Sequence, residues 1–250
     1  MDRKLIEQRY FDDGSPPAWK CPTCGSALQI LSNPFTRYHG NCASIAGEAW
    51  FDEEDAELVF TGSLNCSGCK GTVIFSGTSG VERQYAEHDQ SGWAWSKYYV
   101  PNFFYPSLNL IDFPKVDLIP PQLSNAITSS FSLFWVDLDA CSNRLRVSLE
   151  LILDGIGVPR KLRDTANRDM TLHQRIDQID NSKFNSIKRM FEALKLVGNE
   201  GSHELGVTTR SDVLDCYEMI EHCLHIIYPL PSQEQRLMDM ANNLIAKRKR

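Results

Sequence analysis

Apolar and polar residues alternate in short runs through the first half of the chain, and recur at spacings of three and four through the second. Leu58-Val59-Phe60-Thr61-Gly62-Ser63-Leu64 and Thr72-Val73-Ile74-Phe75-Ser76 alternate as half-buried strands do. Residues 77–92 contain Gly77, Gly80 and Gly92 and read as loop. Asp52 to Asp55 is acidic and reads as a solvated turn or helix start. Pro114, Pro120 and Pro121 mark a boundary, because proline suits neither a helix interior nor a ladder.

Beyond the prolines the texture is helical. Leu123, Ile127, Phe131, Phe134, Trp135, Leu138, Leu145, Leu149, Ile152 and Leu153 predict about 30 residues of amphipathic helix, with a bend or break over Asp139 to Asn143. Gly155 and Gly157 stop it. A short helix follows over Leu172 to Ile179. Phe184, Ile187, Met190, Phe191, Leu194 and Val197 predict another, which Gly198-Asn199-Glu200-Gly201 interrupts. A further helix runs from Ser211, a candidate N-cap, to Tyr228, and a final amphipathic segment spans Gln233 to Ile245. The expected fold class is therefore α+β. Its parts are a β-rich domain over residues 1–112, a Pro-rich linker over 113–122 and an all-α helical bundle over 123–250.

The strongest chemical signal lies in the β-rich half. Cys21-Pro22-Thr23-Cys24 and Cys66-Ser67-Gly68-Cys69 are two Cys-x-x-Cys pairs separated by 41 residues. Two such knuckles supply the four thiolates of a structural Zn²⁺ site, so Cys21, Cys24, Cys66 and Cys69 are the expected metal ligands of a zinc ribbon. The alternative, a single redox pair, belongs at the start of a helix in a βαβ unit, and the pattern contains no such unit. Of the other cysteines, Cys141 and Cys216 lie in helical patterns and read as small buried hydrophobes.

Composition narrows the partners. The 250 residues carry a net charge of −6, which is unlike a protein that grips long duplex DNA through its phosphates. No apolar run is long enough to span a membrane, and Met1 to Glu7 is too polar for a secretory signal, so a cytoplasmic location is expected. The basic run Lys247 to Arg250 is either a solvated tail or a local nucleic-acid contact. Residues 93–106 hold seven aromatics. They can cover a small core, or form a stacking platform for single-stranded bases.

The helical half lacks a phosphate-binding Gly-rich loop, a nucleophile elbow and a His-Glu-x-x-His motif. Its one chemically suggestive segment is Lys195 to His203. In continuous helix, Lys195, Asn199 and His203 would share a face as a cation, an amide and an imidazole that titrates near neutrality. The competing reading is that His203 bonds backbone where the glycines disturb the ladder.

Leu145 to Gly157, which contains Arg146-Val147-Ser148-Leu149-Glu150, resembles the Arg-x-x-Leu-Glu helix of the bacterial domain-of-unknown-function family catalogued as 4145. Gly198-Asn199 followed by His203 resembles that family's Gly-Asn-x-x-x-His segment, and Pro120-Pro121 fits its entry. The resemblance covers roughly residues 115 to 230. It implies kinship with HEPN helical bundles, many of them metal-independent ribonucleases or RNA-binding modules of prokaryotic defence that pair as dimers. It makes His203 the candidate catalytic histidine and Asn199 its polar companion. The arginine of the active pattern falls on Gly198, so Lys195, Arg144, Arg146 or a second subunit would have to supply the cation. The resulting expectation is a homodimeric, nucleic-acid-linked protein of defence or stress, an endoribonuclease acting on RNA. The alternative is a non-catalytic zinc-ribbon protein that binds a protein or nucleic-acid partner and dimerises through its helices.

Overall fold

The computed structural model describes residues 2–8, 10–12, 15–85, 92–113, 118–162, 168–203, 208–230 and 233–248. Within some helices (residues 181–183, 199–203 and parts of 233–248) it describes the backbone alone. Pro114 and the last two residues of the basic run fall outside the described residues.

The molecule is a mixed α/β structure, with a curled antiparallel sheet in its N-terminal part and helices in its C-terminal part. Six strands form the sheet among the described residues. They are β1 (Phe11–Asp12), β2 (Leu28–Ile30), β3 (Phe35–Tyr38), β4 (Leu58–Cys66), β5 (Thr72–Tyr85) and β6 (Trp93–Tyr105). Their order is β1-β6-β5-β4-β2, and β3 also pairs with β4. β4 thus serves two partners along its length: Thr61 meets Phe35 of β3, and Leu64 meets Ile30 of β2. Alternation drives one face inward. Phe60, Leu64, Val73, Phe75, Tyr99 and Phe104 are buried and pack with Phe11 and Trp19 into an aromatic core.

One expectation is corrected here. Residues 77–85 are strand, not loop, because β5 runs unbroken to Tyr85. A Cβ at Gly77 would collide with the carbonyl oxygen of Val100 on β6, and the register shifts at this point. The glycine lets two backbones approach at a β-bulge, and pairing resumes beyond it. Asp52 to Asp55 forms a single 3-10 turn, with the Asp52 side chain accepting from the Glu54 N–H at 3.1 Å.

Among the described residues the helices are α1 (Arg3–Glu7), α2 (Cys42–Ile45), α3 (Pro121–Val136), α4 (Leu138–Gly155), α5 (Leu172–Asp177), α6 (Asn181–His203), α7 (Arg210–Ile227) and α8 (Gln233–Arg248). Pro121 occupies the first turn of α3, where its missing N–H costs nothing. The break before α4 comes at Asp137, which is extended and caps α4 by accepting from Ala140 N at 2.9 Å. A second expectation fails in α6. Gly198 to Gly201 do not interrupt the helix, which continues to His203, and its one non-helical residue is Phe184. The start of α7 also differs. Thr209 caps it in a reciprocal capping box with Asp212, so Ser211 lies inside the helix.

The two parts share one hydrophobic core. Phe104 of β6 meets Trp135 of α3 with ring centroids 4.7 Å apart. Arg3 of α1 pairs with Asp215 of α7, and the Asp112 N–H donates to Glu221 of α7 at 2.8 Å. α8 differs from the other long helices. Every side chain described in it is exposed, Leu237, Met238, Met240 and Ile245 included. Among the described residues no helix is long and apolar enough to cross a membrane.

Candidate functional site

The two cysteine pairs lie far apart in sequence and meet at one corner of the sheet. The first occupies a tight turn between Lys20 and Ala27, which form an isolated bridge. Gly25 completes that turn at φ +74°, a conformation open to glycine, and its N–H donates to Cys21 O at 2.9 Å. The second pair occupies the turn from β4 to β5, closed by Cys66 N to Gly71 O at 2.9 Å. Ser67 links the turns, donating from its N–H and its hydroxyl to Ala27 O, each at 3.1 Å.

All four sulfurs lie within 4.8 Å of one another. Cys21 Sγ is 3.7 Å from Cys69 Sγ, and Cys24 Sγ is 3.3 Å from Cys66 Sγ. Metal–sulfur bonds of about 2.3 Å in a tetrahedron place sulfurs about 3.8 Å apart, so the cluster has the dimensions of a four-thiolate metal site. None of the four is in a disulfide. Backbone N–H groups point at the sulfurs: Thr23 N reaches Cys21 Sγ at 3.4 Å, and Gly68 N and Cys69 N reach Cys66 Sγ at 3.3 and 3.4 Å. Such bonds favour the thiolate form. Cys21 and Cys66 are buried, while Cys24 and Cys69 face solvent.

The two exposed thiols are displaced in opposite directions. Hydrogen bonds from the Ser26 hydroxyl and backbone, then from Cys66, draw the Cys24 thiol down to about 6. Cys69 moves the opposite way. The Gly71 N–H pulls it down, but the neighbouring Cys66 and Cys24 push it up to about 11. Crowded sulfurs cannot all ionise unless a positive ion lies between them. The donor set, spacing and N–H groups fit a bound metal ion held by Cys21, Cys24, Cys66 and Cys69.

The second predicted constellation is carried by α6. Lys195, Asn199 and His203 occupy successive turns of that helix, at the spacing that shares a face. The side chains of Asn199 and His203 lie outside the described residues. Lys195 is half-buried. Gly198 marks the crossing of α6 with α4: a Cβ there would lie 3.0 Å from Arg146 Cβ and 3.4 Å from Ser142 O. The half-buried Arg146 therefore packs its stem against Gly198. Arg144, two residues earlier on α4, is exposed.

Spacing gave no hint of two further polar clusters. The buried guanidinium of Arg175 on α5 donates to Asp154 at 2.7 Å and to Val158 O at 3.1 Å, and Arg160 pairs with the same carboxylate. In the bundle core the Tyr217 hydroxyl meets Ser130 Oγ at 2.6 Å and Cys141 Sγ at 3.3 Å. Arg175 and Asp154 are 21 residues apart and Ser130 and Tyr217 are 87 apart, and only the folded helices bring them together.

No curated protein and no solved structure matches the chain. Two family models do match parts of it. Residues 9–104, the sheet and its cysteine corner, match the family described as Domain of unknown function (DUF8608). The helical part, over residues 128–240, matches the family described as Domain of unknown function (DUF4145), the resemblance first seen in its Arg-x-x-Leu-Glu and Gly-Asn-x-x-x-His segments.

Proposed function

We propose that the chain is a cytoplasmic, homodimeric protein of bacterial defence or stress, in which a zinc-ribbon corner stabilises the sheet and a HEPN-like helical half cleaves RNA. Zn²⁺ on Cys21, Cys24, Cys66 and Cys69 would be structural, supplying folding free energy. The observation that carries the cleavage reading is the unbroken course of α6 through Gly198. It spaces Lys195, Asn199 and His203 one turn apart, beside Arg146 of α4.

In this reading the RNA backbone lies along α6 where it crosses α4. Arg146 and Lys195 hold the phosphodiester and offset its charge, and Asn199 orients it. The His203 imidazole takes the proton from a ribose 2′-hydroxyl. The 2′-oxygen attacks phosphorus, the bond to the 5′-oxygen breaks, and that oxygen takes a proton from an imidazolium. A dimer would supply the second imidazole from the other copy. A planar guanidinium grips a phosphate more firmly than an ammonium does, so Arg146 is the principal cation.

The test is cleavage of a labelled single-stranded RNA by the full chain, its His203→Ala variant and its Arg146→Ala variant. The reading predicts a loss of at least about 100-fold for His203→Ala, the usual scale of an acid–base residue, at unchanged thermal stability. Equal cleavage by wild type and His203→Ala would remove the catalytic role. No cleavage by any of the three would leave the second reading, a non-catalytic regulator that dimerises through its helices. The exposed Leu237, Met238, Met240 and Ile245 of α8 favour that reading, since an isolated helix of this length is marginal until something covers its apolar side.

A further inference from the structure

The sheet has a second face, which the metal corner and the helical half leave open. Strand pairing places Phe35, Thr61, Ser76 and Phe103 side by side in one row across β3, β4, β5 and β6. The next row is Ser63, Ile74 and Tyr105. Directly paired residues share a face, and this one points outward: Phe104, between Phe103 and Tyr105, is buried. Four large apolar side chains nonetheless stand on it. Tyr105 is 67% exposed, Phe35 57%, Ile74 53% and Phe103 45%. The solvent face of an antiparallel sheet is ordinarily polar, so this many exposed apolar side chains on adjacent strands point to a ligand.

We propose that this outward face is a base-stacking platform for single-stranded RNA, with Phe103 and Tyr105 as the principal stacking rings. The proposal rests on the RNA reading of the helical half and gives that RNA a second point of attachment. Three features select the ligand. First, the rings are spaced for separate bases. Phe103 and Tyr105 are two residues apart on one strand, about 7 Å, and Phe35 lies three strands away, about 14 Å. A four-stranded sheet presenting aromatics in this manner stacks two or three splayed bases. Second, the residues between the rings are Thr61, Ser63 and Ser76, whose hydroxyls donate to or accept from any base edge.

Third, the charge is complementary to a phosphate backbone. The chain as a whole is acidic, at −6. The two rows contain no carboxylate, and the next row begins with Arg37, whose guanidinium lies 4.2 Å over the Phe35 ring. A cation seated on an aromatic at the border of the platform can pair with phosphate while the adjoining rings take bases. Trp93 and Trp95 serve as an internal contrast. They also stand exposed on β6, but before the bulge, in phase with the inward-facing Tyr99, and so occupy the opposite face.

The experiment measures binding of the full chain to a fluorescein-labelled single-stranded oligoribonucleotide of mixed sequence by fluorescence anisotropy at low and moderate salt. The deoxy strand and duplex RNA are run in parallel. The account expects single-stranded RNA to bind tightest. It expects Tyr105→Ala and Phe103→Ala each to weaken it about ten-fold or more, Arg37→Ala to weaken it and flatten its salt dependence, and Trp93→Ala to leave it unchanged. Thermal melts of each variant report folding, and Tyr105→Leu, which keeps apolar bulk without a ring, replaces the alanine variant if that one melts early. Wild-type binding with Tyr105→Ala, Phe103→Ala and Tyr105→Leu all unchanged would overturn the platform while leaving the RNA reading intact. Absence of wild-type binding to any RNA would overturn both, and preference for the deoxy strand would overturn RNA as the occupant.

Discussion

Tyr217 and Asp154 show what single side chains contribute when fully or partly withdrawn from water. The Tyr217 hydroxyl is buried between Ser130 and Cys141, and burial keeps it neutral by pushing its ionisation well above the ordinary phenol value. Tyr217→Phe removes that hydroxyl without stranding its neighbours, because Ser130 still donates to Ile127 O at 2.6 Å and Cys141 to Ser130 O at 3.4 Å. The expected loss is about 1 kcal/mol in urea denaturation, the net value of one hydrogen bond. A loss beyond about 3 kcal/mol would mean that the network does more than satisfy itself. Asp154 responds to pH. Hydrogen bonding from Arg160, then the charge of Arg175, holds its carboxyl below the usual range against the opposing effect of partial burial. A depressed folded-state value means stability that is present above the unfolded carboxylate pKa of about 3.9 and lost as pH falls through the folded value. The stability gap between wild type and Asp154→Asn should therefore narrow as urea titrations move from pH 6 to below pH 4, and a constant gap would contradict this. At this scale the cysteines were legible because metal ligands obey local spacing. Arg175, Asp154 and Arg160 were not, since nothing local joins residues on different elements.

At the level of elements, the errors share one cause. Glycine was read as a breaker both at residues 77–92 and at Gly198, and both Gly77 and Gly198 lie within regular structure where another backbone or stem comes close. A sequence carries the glycine but not the neighbour that requires it. β5 needs Gly77 because the Val100 carbonyl occupies the space of a side chain, and α6 needs Gly198 because Arg146 crosses there. Gly77→Ala should destabilise the fold by about 2 kcal/mol or more, since a backbone oxygen cannot swing aside as a side chain would. Chemical denaturation measures this, and an alanine variant as stable as wild type would show that the bulge accommodates a Cβ. The long helical run does break, but at Asp137, ahead of the expected stretch Asp139 to Asn143, which lies within α4. The start of α7 was placed two residues late because Ser211 and Thr209 are both capping residues, and only the reciprocal bond with Asp212 distinguishes them. The aromatic run at residues 93–106 was harder still. It serves three purposes, with Tyr99 and Phe104 in the core, Phe103 and Tyr105 on the outward face, and the exposed tryptophans before the bulge, in phase with Tyr99.

Taken whole, the molecule joins its sheet and helices through a continuous core, with Phe104 against Trp135 and Arg3 against Asp215. The α+β division was legible because the hydrophobic period changes near the prolines, whereas the six-stranded extent of the sheet was not, because its outer strands are short and their partners distant. That core places the cysteine corner within the stability of the entire fold. A structural zinc ion contributes an apparent ~10–16 kcal/mol in small zinc modules, as much as the total stability of an ordinary domain. The measurement that bears most directly on this account is the metal content of the purified full chain, by elemental analysis alongside the Cys21→Ser/Cys66→Ser variant. The account predicts one zinc per chain in wild type, none in the variant, and a sharply lower melting temperature once the metal is lost. A metal-free wild-type chain that melts at the same temperature as the zinc-loaded one would contradict it.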